Sequence, residues 1–193
     1  ALAELIETDG AGAAVRALYD RDIEASDALE RCHGHADPHA RWAGDLHRRY
    51  PDDPSVAVTR LLHHVVLQPG EALHLTAGNL HAYLRGAGIE LMQASDNVVR
   101  GGLTTKPVDV DLLLATLDST PLARPVMESD QGRYPLPEAG VVLARLMPGD
   151  GHTAVGHELA IAMDGTTLYL SPGTPIYADS ETYVVTTPVE PPA

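Results

Sequence analysis

Four side chains of different chemistry lie close together in the 193-residue chain. They are His81, Glu90, Arg100 and Lys106, all within Pro69–Val110, whose sequence is PGEALHLTAGNLHAYLRGAGIELMQASDNVVRGGLTTKPVDV. An imidazole can bind a metal ion, a carboxylate can transfer protons, and two cations can hold an anionic ligand. Packing alone does not explain such groups in a stretch predicted to consist of turns and strands.

His81 and Glu90 each have a structural alternative. His81 follows a turn and is expected to open a strand, where barrel folds point side chains into the mouth, although a lone histidine is more often structural. Glu90 lies between Ile89 and Leu91, so it must face water, a cation or a cavity. A solvent-facing charge on an edge strand explains Glu90 about equally well.

The residues after Glu90 combine turn chemistry with positive charge. The sequence SDN, which includes Asp96, is typical of a turn whose side chains bond their own backbone. Arg100 is followed by two glycines, which let a ligand approach its guanidinium closely. Tyr83 can reach a pocket through its hydroxyl or serve as a buried aromatic residue.

A second group of metal-binding residue types occurs nearer the N-terminus. Cys32, His33, His35 and His39 lie in RCHGHADPH, but their spacing fits no usual zinc pattern, and a solvated helix-to-loop junction is the favoured interpretation. His63 and His64 fall on a predicted strand and would point to opposite faces, so they cannot both bind one ion. One of the two is expected to be packed and the other exposed.

The elements that must position these residues follow from hydrophobic spacing. Leu2 to Tyr50 has the spacing of two or three amphipathic helices and ends at the breaker PDDP. Short strands are predicted from Ser55 onward, and one further helix is predicted. The predicted strands are 56–66, 71–76, 81–84, 88–93, 141–147, 158–163, 166–171 and 174–187, and the helix is 108–117.

Short strands at this spacing favour a jelly roll or small barrel. The predicted fold class is therefore mainly β with α, a jelly roll preceded by a small helical segment. The predicted division of the chain is part of a helical domain at 1–54, strands at 55–107, a helix and Pro-rich connection at 108–140, and C-terminal strands at 141–193.

Composition excludes several classes of protein. A formal charge of −14 argues against a nucleic-acid surface, although a small phosphorylated ligand needs only one or two local cations. There is no apolar run long enough to cross a bilayer, so no membrane partner is expected. The single cysteine, Cys32, excludes an internal disulfide framework and makes the cytoplasm the expected location.

The run from Pro69 to Val110 closely resembles the signature of type I mannose-6-phosphate isomerases, zinc enzymes with a cupin fold. The resemblance implies that the predicted jelly roll is of the cupin type, with the signature strands of the catalytic cupin at 55–107 and C-terminal cupin strands at 141–193. The resemblance implies that His81 of HAYL binds the single zinc ion, that Glu90 and Arg100 lie in the active site, and that Lys106 is a catalytic or substrate-binding cation. Tyr83 and Asp96 complete the predicted substrate-binding set. Thr105 stands where the family usually has proline in its TPK element.

The implied reaction is the reversible isomerisation of mannose 6-phosphate and fructose 6-phosphate, an early step toward GDP-mannose. The family completes its zinc site with a Gln-x-His pair and a glutamate from an N-terminal cupin portion, and this sequence contains no Gln-x-His. Because a catalytic zinc ion normally has three protein ligands, the chain is expected to be a C-terminal fragment, inactive without the missing cupin portion. Its first residue is Ala1, as in a processed or partial chain.

Two other functions stay open at this level. One is a non-catalytic cupin module that binds a sugar or mediates assembly. The other is a scaffold protein in which the polar residues serve only as turn chemistry, which a closed and dry surrounding of His81 would favour.

Overall fold

The computed structural model describes residues 2–92, 97–136 and 140–186. These residues form two compact units, each built from separate stretches of the chain. The helical unit contains residues 2–65, 75–87 and 97–122, and the β unit contains residues 66–74, 88–92, 123–136 and 140–186. The Pro69–Val110 segment is therefore divided between the two units.

The helical unit contains three helices before Tyr50, so the prediction of two or three helices there is confirmed. The first helix bends at Gly10, whose φ of 85° is not helical. The helices are α1 (Leu2–Tyr19), α2 (Ser26–Cys32), α3 (Pro38–Arg49), α4 (Ser55–Val58) and α5 (Val110–Thr116), with a 3₁₀ turn at Thr59–Leu61.

The core of the helical unit is formed by small and branched apolar side chains. Val15 and Leu18 of α1, Leu46 of α3, and Val56 and Val58 of α4 are its main buried members. Burial of these side chains is the principal stabilising term, because each contributes about 1.5–3 kcal/mol when fully removed from water.

Part of the Pro69–Val110 segment is anchored on this helical core. Leu80, Leu84 and Leu103 are partly buried and pack directly against it. The apolar contacts of Leu80 and Leu84 therefore fix the backbone next to the candidate residues His81 and Tyr83.

The β unit is antiparallel throughout. Its largest sheet has five strands in the order β3–β4–β9–β6–β7, and two-stranded sheets are formed by β1 with β2 and by β5 with β8. The strands are β1 (Glu71–Leu73), β2 (Val126–Glu128), β3 (Arg133–Leu136), β4 (Val141–Leu146), β5 (Gly151–Thr153), β6 (Glu158–Ala162), β7 (Thr167–Leu170), β8 (Pro175–Tyr177) and β9 (Thr182–Thr186).

A second, smaller core lies in the β unit. Ala144, Ala154, Ala160, Leu170 and Val184 are each at most 3% exposed and pack together. The predicted strands at 141–147, 158–163, 166–171 and 174–187 all correspond to observed strands, the last of them divided into β8 and β9.

Three of the predicted strands are wrong. Residues 56–66 begin with α4 and the 3₁₀ turn, because a run that is apolar on both faces suits a buried helix as well as a buried strand. Residues 81–84 and 88–92 form neither helix nor strand. The predicted strand at 71–76 is present but shorter, as β1, and the predicted helix at 108–117 is present as α5.

None of the helices within the described residues is long and apolar enough to cross a membrane.

Candidate active site

A compact turn precedes His81. The Asn79 side-chain oxygen accepts hydrogen bonds from the Thr76 N–H at 3.0 Å and from the Thr76 hydroxyl at 3.1 Å. Gly78 has a φ of 85°, and a Cβ there would lie 2.6 Å from the Thr116 carbonyl oxygen. The Asp118 N–H donates to the Gly78 carbonyl at 3.0 Å, so the turn is fixed against the C-terminal end of α5.

The backbone carbonyl of this turn determines which nitrogen of His81 carries the proton. His81 Nδ1 lies 3.0 Å from the Asn79 carbonyl oxygen. Because a carbonyl oxygen only accepts, Nδ1 must carry a proton, and in the neutral form of the ring Nε2 is then the nitrogen with the lone pair. Metal-binding histidines commonly have this arrangement, in which one ring nitrogen donates to a carbonyl and the other binds the ion.

Tyr83 lies beside His81 and is open to solvent. The two rings meet edge to face with centroids 5.8 Å apart and an interplanar angle of 64°. Tyr83 is 72% exposed, so the alternative role of a buried aromatic residue is wrong. His81 is exposed too. The closed and dry surrounding that would favour a scaffold protein is therefore not observed around His81.

The loop that follows Arg100 lies against the residue that precedes His81. A Cβ at Gly101 would lie 2.4 Å from Leu80 Cδ1, so the Gly101 backbone touches the Leu80 side chain. This contact brings the backbone that carries His81 and the backbone that carries Arg100 side by side within the helical unit.

The same loop is fastened to the helical unit by hydrogen bonds. The Leu103 N–H donates to Asp53 Oδ2 at 2.8 Å and to Ser55 Oγ at 3.0 Å. The Tyr19 hydroxyl donates to the Gly101 carbonyl oxygen. The loop between Arg100 and Lys106 is thereby tied to α1 and to the start of α4.

Arg100 and Lys106 present positive charge to solvent. Both residues are exposed, and neither forms an ion pair with another residue in the described part of the chain. The Lys106 N–H donates to Thr104 Oγ1 at 3.2 Å, which closes a small turn before Pro107. Two cations without a carboxylate partner can bind an anionic ligand.

The two remaining predicted site residues are Glu90 and Asp96. Glu90 belongs to the β unit, where it is exposed and Leu91 beside it is 37% exposed, so its carboxylate is not sealed in a core. Asp96 lies outside the described residues. The geometry therefore joins His81, Tyr83 and the Arg100–Lys106 loop.

The histidine-rich cluster of the helical unit is dispersed. His33 pairs with Asp45 at 3.6 Å, and His35 Nδ1 accepts from the Asp37 N–H at 3.1 Å. His39 donates from Nε2 to the Thr59 carbonyl at 2.9 Å and stacks on His64 with ring centroids 5.6 Å apart. No group of three or more metal-binding side chains is present among the described residues.

His81 is accordingly suited to be one zinc ligand, but the described residues do not complete a zinc site. The packing of His64 and the exposure of His63 match the expectation that one of them is packed and the other exposed.

Sequence reasoning missed a buried polar group in the β unit. The Glu158 side chain is fully buried, and its Oε2 lies 2.5 Å from His152 Nε2. Its Oε1 accepts from the Val155 N–H at 3.0 Å and from the Thr186 hydroxyl at 2.5 Å. The sequence signal is GHTAVGHE, in which a turn returns a glutamate toward a histidine six positions earlier.

These hydrogen bonds determine the charge of Glu158. Burial by itself raises the pKa of the carboxyl, but the bonds from Thr186, His152 and the Val155 N–H outweigh it and hold the pKa below its ordinary value. Glu158 is therefore an ionised group inside the β unit.

The fold is similar to that of solved mannose-6-phosphate isomerases. The structure superposes with a TM-score of 0.68 on the crystal structure of mannose 6-phosphate isomerase from Salmonella typhimurium bound to its substrate, fructose 6-phosphate, and zinc, at 24% identity, covering 97% of this chain and 57% of that one. The predicted fold class, a cupin-type β fold preceded by a small helical segment, is confirmed by this likeness. No family model matches the chain.

Part of the chain is also similar in sequence to curated mannose-6-phosphate isomerases. The chain is 49% identical over 76 residues to mannose-6-phosphate isomerase of Rattus norvegicus, a match that covers 39% of this chain and 18% of the relative. It is 42% identical over 94 residues to the enzyme of Salmonella typhimurium, covering 46% of this chain and 24% of the relative. The resemblance to mannose-6-phosphate isomerases is confirmed, and it extends over part of the length of each relative.

Proposed function

We propose that this chain supplies part of the active site of a zinc-dependent mannose-6-phosphate isomerase. The observation that carries the proposal is the bond from His81 Nδ1 to the Asn79 carbonyl, which leaves Nε2 as the metal-binding nitrogen. The relatives supply the substrate class, since one solved enzyme carries fructose 6-phosphate and zinc.

The chain's own groups suit the reaction. Isomerisation removes a proton from the carbon beside the sugar carbonyl and returns a proton to the neighbouring carbon. Glu90 is the proposed group for proton transfer or for orienting a sugar hydroxyl, and Arg100 stabilises negative charge near the reacting carbons. Lys106 supplies charge for the phosphate, while Tyr83 and Asp96 hydrogen-bond the sugar. Zinc, when bound, polarises the sugar oxygens.

The chain is proposed to need a complementary polypeptide. The chain covers 57% of the solved Salmonella enzyme, so 43% of that enzyme has no counterpart here. One ligand from His81 cannot hold a catalytic zinc ion when such sites normally use three. Two large apolar side chains of the helical unit, Tyr83 and Val98, are 72% and 66% exposed, and burial by a complementary segment would remove them from water.

Reconstitution tests this proposal. The part of the Salmonella enzyme without a counterpart is expressed together with this chain, and conversion of fructose 6-phosphate is measured with zinc and with a chelator. We expect zinc-dependent activity that is lost on His81→Ala or Arg100→Ala and kept on Arg85→Ala, a control that removes an exposed arginine of the same segment. Activity unchanged by His81→Ala and Arg100→Ala would instead favour a non-catalytic cupin module.

The isolated chain provides the second arm. We expect no isomerisation by the pure chain with added zinc, and measurable activity would refute the need for a partner. The proposal further places the enzyme in the cytoplasm, where its product feeds mannose metabolism and GDP-mannose synthesis.

A further inference from the structure

The carboxylate of Asp53 uses both of its oxygens to organise the loop after Arg100. Oδ1 accepts from the Ser55 N–H at 2.8 Å, and Oδ2 accepts from the Leu103 N–H at 2.8 Å. Ser55 is 3% exposed, and its hydroxyl oxygen accepts from the same Leu103 N–H at 3.0 Å. One backbone donor of the loop is therefore held by two side chains of the helical unit.

The loop backbone needs this support because its conformation is unfavourable. Leu103 has a φ of 51°, in the left-handed region that costs a leucine of the order of 1 kcal/mol or more. Gly102 has a φ of 122°, and a Cβ there would lie 2.0 Å from Ser55 Oγ, so only glycine fits. The loop is thus pressed against Ser55 in a strained turn that the hydrogen bonds stabilise.

Tyr19 fixes the loop from its other side. Its hydroxyl donates to the Gly101 carbonyl oxygen, directly after Arg100. Burial first, and the negative charge of Asp53 second, raise the pKa of Tyr19 to about 12, so its hydroxyl is a proton donor throughout the neutral range.

We propose that Asp53, Ser55 and Tyr19 are positioning residues of the isomerase site. They hold residues 101–103 in one conformation and so set where Arg100 and Lys106 present their charges to the phosphorylated sugar. This role rests on the proposed function. None of the three touches substrate; each acts through the backbone of the loop that carries the two cations.

The first test measures the loop in the full chain, without any assumption about catalysis. The Ser55 N–H and the Leu103 N–H bind different oxygens of Asp53, and asparagine replaces one of these oxygens by an NH2 donor, so in this orientation one of the two bonds is lost. In Asp53→Asn we expect amide hydrogen exchange at 101–104 to accelerate about tenfold or more, and in Ser55→Ala by a smaller factor. Asp52→Asn is the matched control, because the bond from Arg21 uses the Asp52 backbone carbonyl.

Circular dichroism and Trp42 fluorescence show that each variant is folded. Exchange at 101–104 that is unchanged in folded Asp53→Asn and in Ser55→Ala would overturn the positioning role. Where Asp53→Asn does not fold, Ser55→Ala and Tyr19→Phe give the decision, since both leave the Asp53 carboxylate in place.

The second test uses the reconstituted enzyme. In reconstituted enzyme carrying Asp53→Asn, Ser55→Ala or Tyr19→Phe, we expect Arg100 and Lys106 to be misplaced. The KM for fructose 6-phosphate should then rise and kcat/KM should fall about tenfold to hundredfold, while the zinc concentration for half-maximal activity stays unchanged. A uniform loss of active enzyme, with unchanged KM, would show a merely structural role and contradict the proposal. If the unmodified reconstituted enzyme is inactive, the proposed function fails, whereas the exchange measurement still decides whether the loop is held as described.

Discussion

Replacing Glu158 should destabilise the β unit strongly. Its ionised carboxylate is fully buried and accepts from His152, the Val155 N–H and the Thr186 hydroxyl. Glu158→Ala leaves those donors without an acceptor, and each unsatisfied buried donor costs about 1–3 kcal/mol, so we expect a loss of about 3 kcal/mol or more. Glu158→Gln keeps an oxygen for Val155 and Thr186 and loses the charge, so we expect about 1–2 kcal/mol.

Guanidinium unfolding followed by circular dichroism measures these losses. Trp42 fluorescence reports the helical unit separately, because Trp42 is the chain's single tryptophan and lies in α3. Asp179→Asn is the control, an exposed carboxylate of the same unit whose replacement should change stability by less than about 0.5 kcal/mol. A loss below about 1 kcal/mol in Glu158→Ala would refute the assignment of Glu158 as a buried, ionised and hydrogen-bonded group.

The same group makes a pH prediction with a definite sign. The folded-state pKa of Glu158 is lowered, so between this lowered pKa and the ordinary glutamate pKa the folded state binds fewer protons than the unfolded state. Its stabilising contribution is present above the ordinary glutamate pKa and is lost as the pH falls through the lowered pKa. Acid unfolding of the native chain should therefore be steeper than that of Glu158→Gln, which has no such carboxyl to protonate.

Two further predictions concern the helical unit and the tyrosines. Gly102→Ala should lower the free energy of unfolding by about 2 kcal/mol or more, because the new Cβ would meet Ser55 Oγ at 2.0 Å. Gly12→Ala is the control: it lies in a helix with open space around it and should raise the free energy of unfolding by about 0.5–1 kcal/mol in the same denaturant assay. Equal effects of the two substitutions would contradict the loop geometry. Burial raises the pKa of Tyr19 and of Tyr183 to about 12, so an absorbance titration should show these two tyrosines ionising at higher pH than ordinary tyrosines. Their contribution to the stability of the fold should be complete below pH 10 and should be lost as the pH rises through 12. Tyr19→Phe and Tyr183→Phe should each remove one late-titrating group.

Hydrophobic spacing predicted the helices before Tyr50 and most C-terminal strands, and β9 shows why, since its residues alternate between buried and half-buried. It failed at residues 56–66, where Val56, Ala57 and Val58 are at most 5% exposed. A short run buried on all sides carries no period that separates helix from strand, and tertiary packing decides between them.

The candidate site was predictable only in part. Turn chemistry correctly placed His81 after a tight turn, but the strand expected to begin there is absent from the described residues. The bond that His81 donates to the Asn79 carbonyl is local, whereas the bonds that the Leu103 N–H donates to Asp53 and Ser55 join residues 50 and 48 positions apart. Contacts at that separation depend on the folded helical unit, and a single sequence contains no spacing rule for them.

The central claim is that this chain supplies one zinc ligand and the cationic loop of an isomerase site completed by another polypeptide segment. Measuring isomerisation of fructose 6-phosphate by the chain, by the missing Salmonella portion and by the two together tests it most directly. We predict activity only in the combination, dependent on zinc and abolished by His81→Ala. A folded, associated combination with no activity, or activity that survives His81→Ala, would contradict the account.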